Sequence, residues 1–192
     1  SFPTRRSSDL GFQDRPWTSE AIPLHGKRLM SAGMTRVQAI WQHPLYQKHL
    51  NALTRLESDR IFCRHTPEHF LDVARLAYIF ALERNLDCSR ELIYCTALLH
   101  DIGRAEQYTN GTPHDEAGVT IAGQILADLN FSESEKAQIL TAIGEHRSST
   151  GNLPILSQII YEADKKSRNC FLCSAEKECY WAPEKKNMTI RY

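Results

Sequence analysis

An imidazole and a carboxylate stand side by side at His100-Asp101, where the apolar run Leu92 to Leu99 stops and the turn Ile102-Gly103-Arg104 begins. Two polar groups at the end of a segment that reads as buried need partners. A divalent metal serves both, because imidazole nitrogen and carboxylate oxygen suit zinc, iron or manganese. The pair belongs to a longer series: His69, His100, Asp101, His114, His146 and Asp164. Any one of these histidines alone reads as an isolated core or surface residue. The set at helix-compatible positions reads as a metal site, and a cation held there lowers the pKa of its water and supplies a nucleophile at neutral pH.

Such residues need elements to carry them. Val37 to Gln42 reads as a short helix stopped near Pro44, after which Leu45, His49, Leu50, Leu53 and Leu56 recur at helical spacing. Thr66-Pro67-Glu68 reads as a helix start, with Thr66 as N-cap and Pro67 at the first helical position. Phe70, Val73, Ala74, Ala77, Ile79 and Leu82 carry that helix to about Arg84. Ser89 caps the next helix, Arg90 to His100, without a capping box because Leu92 holds the third position. Arg104 to Thr112 reads as a loop. His114 to Leu129 alternates at helical period. Ser132 to Glu145 follows, with Ser132 and Glu135 as a capping box. Gly151 to Pro154 reads as a turn, and Ile155 to Lys166 as the last core helix. There is no strand pair, internal repeat or low-complexity run, so the class is all-α, a single irregular helical bundle. His69, next to Phe70 and four before Val73, faces inward, and His65 shares its face. With His146 and Asp164 on two further helices, several helix ends converge on one cavity, as metal sites in bundles require.

The 192 residues suffice for one domain with its own core. Apolar residues are 42% and charged residues 24%, and 23 Lys+Arg balance 23 Asp+Glu. Net charge therefore gives no sign of a nucleic-acid or anionic-membrane partner. Leu92 to Leu99 is far too short to span a bilayer. No signal-peptide pattern is present, so the cytoplasm is the expected location and the six cysteines are expected as thiols or metal ligands. Ser1 to Leu10 resembles the translation of a sequencing-library adapter, and residues 11–33 lack any period. The expectation is a non-native or disordered leader over 1–33, with native sequence starting at Met34 or Met30. Cys170, Cys173 and Cys179 form a C-x2-C-x5-C cluster in a tail over 170–192. Thiolates so spaced can chelate zinc or an iron–sulfur cluster, but a closed site wants a fourth ligand, which Cys63 supplies only if the fold brings it close. The alternative is a reduced tail packing through Phe171, Leu172, Tyr180 and Trp181.

The words His69-Phe70-Leu71-Asp72-Val73-Ala74, Ala97-Leu98-Leu99-His100-Asp101-Ile102-Gly103-Arg104, Pro113-His114, Ala142-Ile143-Gly144-Glu145-His146 and Ile160-Tyr161-Glu162-Ala163-Asp164-Lys165 together resemble the HD superfamily of metal-dependent phosphohydrolases. The resemblance covers about residues 60–170 and implies an HD domain over 34–169. It implies a minimal metal site of His69, His100, Asp101 and Asp164. His114 and His146 resemble the dinuclear branch, in which the Asp of the pair bridges two metals, often iron. The whole pattern, with its Ala163-Asp164-Lys165 word, is similar to bacterial diadenosine-tetraphosphate hydrolases. Arg104 stands where many members have Lys. The Gly-Tyr-Pro word of the cyclic-di-GMP branch is absent.

The resemblance implies hydrolysis of a phosphoester or phosphoanhydride in a nucleotide or small phosphorylated metabolite, with one or two divalent ions (Fe, Mn, Zn, Co or Mg). A second metal about 3.5–4 Å from the first would hold the attacking hydroxide in line. Asp101, His114 and His146 are the candidate catalytic residues; with one metal only, His114 or His146 is free to act as general acid. Arg104, Lys165 and Arg168 are candidates to bind substrate phosphates, against the alternative of solvated surface charges. His65 is a further candidate to meet substrate or support the site, against an exposed helix-start histidine. Two other functions fit the pattern: a dinuclear-iron oxygenase of HD type and a non-catalytic nucleotide-binding HD module. The expected partner is a small phosphorylated molecule, not a membrane or nucleic-acid polymer, and the expected state is a monomer or homodimer.

Overall fold

A largely apolar run must sit in the middle of a bundle, and Leu92 to Leu99, in the helix Arg90–Leu99, does. In the computed structural model, which describes residues 34–146 and 153–192, this helix is α4 of eight α-helices among the described residues. Leu92, Ile93, Cys95, Thr96, Ala97, Leu98 and Leu99 are all buried. The others are α1 (Thr35–Gln42), α2 (Pro44–Leu56), α3 (Pro67–Glu83), α5 (Arg104–Asn110), α6 (His114–Ala127), α7 (Glu133–Glu145) and α8 (Ile155–Lys166). No strand occurs among the described residues, and the all-α bundle expected from the periodicity is the fold. The expected leader over 1–33, and residues 151 and 152 of the expected turn, lie outside the described residues.

α4 packs against α1, α3, α7 and α8 and divides the core in two. Leu92, Cys95, Leu98 and Leu99 join Tyr46, Leu50, Phe70, Ile125 and Ile143 on one side. Ile93 and Ala97 join Val73, Phe80, Ile159 and Ile160 on the other. Each large side chain so buried contributes about 1.5–3 kcal/mol, so the end of α4 is anchored from both sides.

The helix starts follow local chemistry. Pro44 opens α2, and the His43 ring accepts from the Leu45 N–H. Thr66 and Ser89 cap α3 and α4 by accepting from His69 N–H and Leu92 N–H. At α7 both halves of the capping box form: Ser132 Oγ accepts from Glu135 N–H and Glu135 returns to Ser132 N–H. One expectation fails. Residues 104–110 form α5, closed by Gly111 in the left-handed region at φ 81°, where the segment reads as a loop. Only Ala105 of this helix is buried, so the short segment carries no apolar stripe to announce itself.

Close approach of α6 to the turn after Asp101 is set by a glycine. A Cβ at Gly103 would lie 2.2 Å from the His114 carbonyl oxygen and 2.4 Å from Gly118 N. Beyond α8 the chain has 3₁₀ turns at Cys170–Leu172 and Pro183–Lys185 and otherwise bends. The Asn187 side-chain amide donates to the carbonyls of Lys165, at 2.8 Å, and Arg168, at 3.0 Å, and so closes the end of α8.

Candidate metal centre

The last turn of α4 delivers His100, and the turn after it delivers Asp101; both side chains are 0% exposed. His69 comes from the first turn of α3, His114 from the first position of α6, His146 from the end of α7 and Asp164 from the last turn of α8. Each is buried. Five separate helix ends thus bring the six sequence-predicted residues together.

The four imidazoles are oriented in one way. A carbonyl oxygen only accepts, so His100 donates through Nδ1 to Ala97 O at 2.7 Å, and His146 through Nδ1 to Ile143 O. His114 Nδ1 meets Gln107 Oε1 at 2.6 Å. His69 Nδ1 meets Ser167 Oγ at 3.3 Å, and that hydroxyl donates to Asp164 O at 2.9 Å. An imidazole tied through Nδ1 presents Nε2 as its free face, and here all four Nε2 atoms point at the carboxylates. His69 Nε2 lies 3.3 Å from Asp164 Oδ1, and His100 Nε2 lies 3.2 Å from Asp101 Oδ2. His114 Nε2 and His146 Nε2 each lie 3.4 Å from Asp101 Oδ1. Two donor sets result, each with its ligand atoms within 4.8 Å: His69, His100, Asp101 and Asp164, and Asp101, His114 and His146. Asp101 belongs to both, one oxygen facing each.

These donors fit a divalent cation. His100 Nε2, Asp101 Oδ1 and Asp101 Oδ2 are buried and make no hydrogen bond, although charged groups crowd around them. Arg104 Nε stands 2.8 Å from Asp101 Oδ1, near enough for an ion pair but not aligned for a hydrogen bond. Buried groups left so cost roughly 1–3 kcal/mol each, more when charged. His114 Nε2 and His146 Nε2 face each other at 3.1 Å, an arrangement of lone pairs that a proton or a cation relieves. The arrangement therefore has the capacity to hold a divalent metal.

Charge is tuned by burial against neighbours. Burial would raise the Asp101 carboxyl, but Arg104, His100 and His65 hold it well below the ordinary range. Asp164 is likewise held low against its burial by His100 and His69. Burial would lower His100, but Asp101 and Asp164 carry it up to about 9. In His69 burial wins, helped by Arg168 and His100, and the ring falls to about 3.

His65 departs from the alternative of an exposed helix-start histidine. It precedes the Thr66 cap and so lies outside α3, and it is buried. Glu57 clamps it twice, accepting from its N–H at 2.7 Å and meeting its Nδ1 at 2.6 Å, which leaves Nε2 3.5 Å from Asp101 Oδ2. Tyr108 donates to the same Glu57 at 2.8 Å. Burial would raise Glu57, but these hydrogen bonds hold it at about 2.

The three candidate phosphate cations are at the site and engaged there. Arg104 pairs with Asp101, and Lys165 Nζ donates to Asp164 Oδ2 at 2.7 Å. Arg168 donates to His69 Nε2 at 2.9 Å and to Arg64 O at 3.1 Å. All three line a cleft of about 590 Å³ that reaches His69, His114 and Asp164. Glu57, Gln107, Tyr108 and Ser167 are the positioning residues that sequence reading missed. Ser167, three residues beyond Asp164 at a helix end, is the one whose place in the sequence offered a signal.

The HD domain family profile matches residues 66–169, which include all six candidate ligands. A protein of Clostridium beijerinckii described as uncharacterized is 42% identical over 159 residues, covering 83% of this chain and 100% of that one. Ribonuclease Y of Enterococcus faecalis is 26% identical over 141 residues, covering 73% of this chain and 25% of that protein. The chain thus spans about a quarter of the ribonuclease Y protein it matches. In fold it is similar to a crystal structure described as a predicted HD superfamily hydrolase from an uncultured Thermotogales bacterium, with a TM-score of 0.53, 24% identity, and coverage of 80% of this chain and 87% of that one.

Proposed function

The chain belongs to the HD-domain family, and we propose that it is a metal-dependent phosphohydrolase that cleaves a phosphoester or phosphoanhydride of a nucleotide or another small phosphorylated metabolite. The observation that carries this reading is Asp101, shared by two donor sets with both oxygens buried and without a hydrogen bond. A bound divalent cation supplies a hydroxide-like nucleophile at neutral pH and offsets the phosphoryl charge that builds up.

The chain's own residues do the rest. Asp101, His69, His100 and Asp164 would hold one ion, and Asp101, His114 and His146 a second. Where the second set stays free of metal, His114 or His146, whose Nε2 atoms lie 3.1 Å apart, would serve as general acid to the leaving oxygen. Lys165 and Arg168 now pair with Asp164, and Arg168 also donates to His69 Nε2. With the charge of Asp164 taken up by a bound ion, Lys165 and Arg168 would be released to meet substrate phosphates. The cleft volume falls in the range of small-molecule sites, which favours a compact substrate.

Similarity to ribonuclease Y supports a second reading, hydrolysis of RNA phosphodiesters. One experiment separates them. Protein purified without chelators is assayed for metal and then screened anaerobically for phosphate or nucleotide release from mononucleotides, dinucleoside polyphosphates and an RNA oligonucleotide. The expected result is about two metal equivalents that depend on the His/Asp donors and turnover of a small nucleotide. Cleavage of the oligonucleotide alone selects the second reading, and no release from any of the three rejects both.

A further inference from the structure

Residues 170–192 pose a problem of cohesion. Leu172, Tyr180, Met188, Ile190 and Tyr192 are exposed, and the buried apolar residues of the segment are Cys170 and Ala175. Ordering a residue costs about 1–2 kcal/mol of backbone entropy, and so little apolar burial does not offset it. Segments of this kind are held by a cross-link or a metal. All cysteines here are free thiols.

Four of them meet. Cys63, in the extended stretch before α3, lines the same cleft as Cys170, Cys173 and Cys179. The two stretches of chain are fastened on either side of it. The Phe62 and Tyr180 rings meet edge to face at 6.3 Å, and Arg168 donates to the Arg64 carbonyl. Cys170 and Cys173 sit on one 3₁₀ turn, closed by Cys173 N–H donating to Cys170 O at 3.1 Å. A second pair of turns, Glu176 N–H to Cys173 O and Cys179 N–H to Glu176 O, folds Cys179 back towards them. Burial pushes the Cys63 thiol up, opposed by the nearby Arg168 and reinforced by the three tail cysteines. Cys88 and Cys95 pack in the two apolar cores instead.

We propose that Cys63, Cys170, Cys173 and Cys179 form a structural zinc site, separate from the His/Asp centre, that pins residues 170–192 against residues 60–65 and so fixes one wall of the cleft. Four thiolates, two of them with two residues between them on a tight turn, match the closed tetrahedral sites that zinc occupies. Lys186 and Arg168 offset part of the charge that four thiolates carry. Among the described residues no three thiols lie within the 4.8 Å that separates the His and Asp donors; the ion would draw them together, as in small metal-folded segments.

The test loads the whole protein, reduced, with zinc or cobalt(II). Cobalt in the wild type should show sulfur-to-metal charge transfer in the near ultraviolet, a signature that imidazole and carboxylate cannot produce. Zinc should shield four of the six thiols from Ellman's reagent, and a chelator should expose them. About one zinc should remain in His100→Ala and be lost from Cys63→Ser and Cys173→Ser. The cobalt spectrum and thiol count use the wild type, so a variant that fails to fold leaves the test standing. Absence of the charge-transfer band, zinc content unchanged in Cys63→Ser, or iron with acid-labile sulfide would each overturn the assignment.

Discussion

The His/Asp chamber and the cysteine tail both gather metal-type side chains, and they are built in opposite ways. In the chamber each of four imidazoles is fixed through Nδ1 by an acceptor behind it, on helices whose other faces fill the core. In the tail the thiols ride on turns with little buried around them. A chamber assembled by packing does not have to order its ligands when an ion arrives, so binding energy goes into affinity and chemistry. A tail of turns spends binding energy on its own folding.

The comparison breaks first at Asp101. Asp101→Asn keeps the volume and removes the charge shared by both donor sets. Turnover should fall on the order of 10³-fold or more, the scale on which groups acting as a unit are lost, with the helical circular dichroism unchanged. Near-normal turnover would reject the chamber as the active site.

Packing comes next. Gly103→Ala drives a Cβ into the His114 carbonyl and Gly118 N. Overpacking of this kind costs about 1–3 kcal/mol, or roughly 2–12 °C in Tm for a chain of this size. Leu172→Ala, on an exposed tail residue, should stay within about 0.5 kcal/mol. Equal shifts in thermal melts would erase the contrast between the two regions.

Protons sharpen it. Without an ion, His100 sits at about 9 and His69 at about 3, while both are near 6.5 when unfolded. The stability from charged His100 is complete below about pH 6.5 and is lost as pH rises through about 9. The burial of neutral His69 costs stability as pH falls from about 6.5 towards 3. Chelated protein should therefore be most stable near pH 6.5 in denaturant titrations. Ligation requires His100 to lose its proton, so metal uptake should release protons and weaken by up to about tenfold per pH unit below 9. Calorimetry in buffers of different ionisation enthalpy reads this, and uptake without proton release would contradict it. A modest effect belongs to Ser132→Ala, which removes an exposed cap far along the chain from Asp101. It should cost about 1 kcal/mol in a denaturant titration and leave turnover unchanged.

Much of this was legible beforehand, for reasons that differ by residue. The starts of α3 and α7 follow from Thr66-Pro67 and from Ser132 with Glu135, whose capping acts within one turn. The six chamber residues lie in recognisable words, and inward-facing positions on separate helices brought them together. α5 was not legible, because a short helix with one buried residue shows no period. Glu57, Gln107 and Tyr108 were not legible either. Their roles come from tertiary neighbours, as with Glu57 and Tyr108 meeting across 51 positions. His65 looked helical from its spacing to His69, and the Thr66 cap between them placed it outside the helix.

The Asn187 amide, which closes the end of α8 from the far side of the tail, makes the intervening chain a loop of set circumference. Insertions or deletions between residues 169 and 186 would pull that amide out of register and unravel the turn that holds Asp164. Drift in the length of this stretch is thereby coupled to the chemistry at the bundle's centre, although none of its backbone lies there.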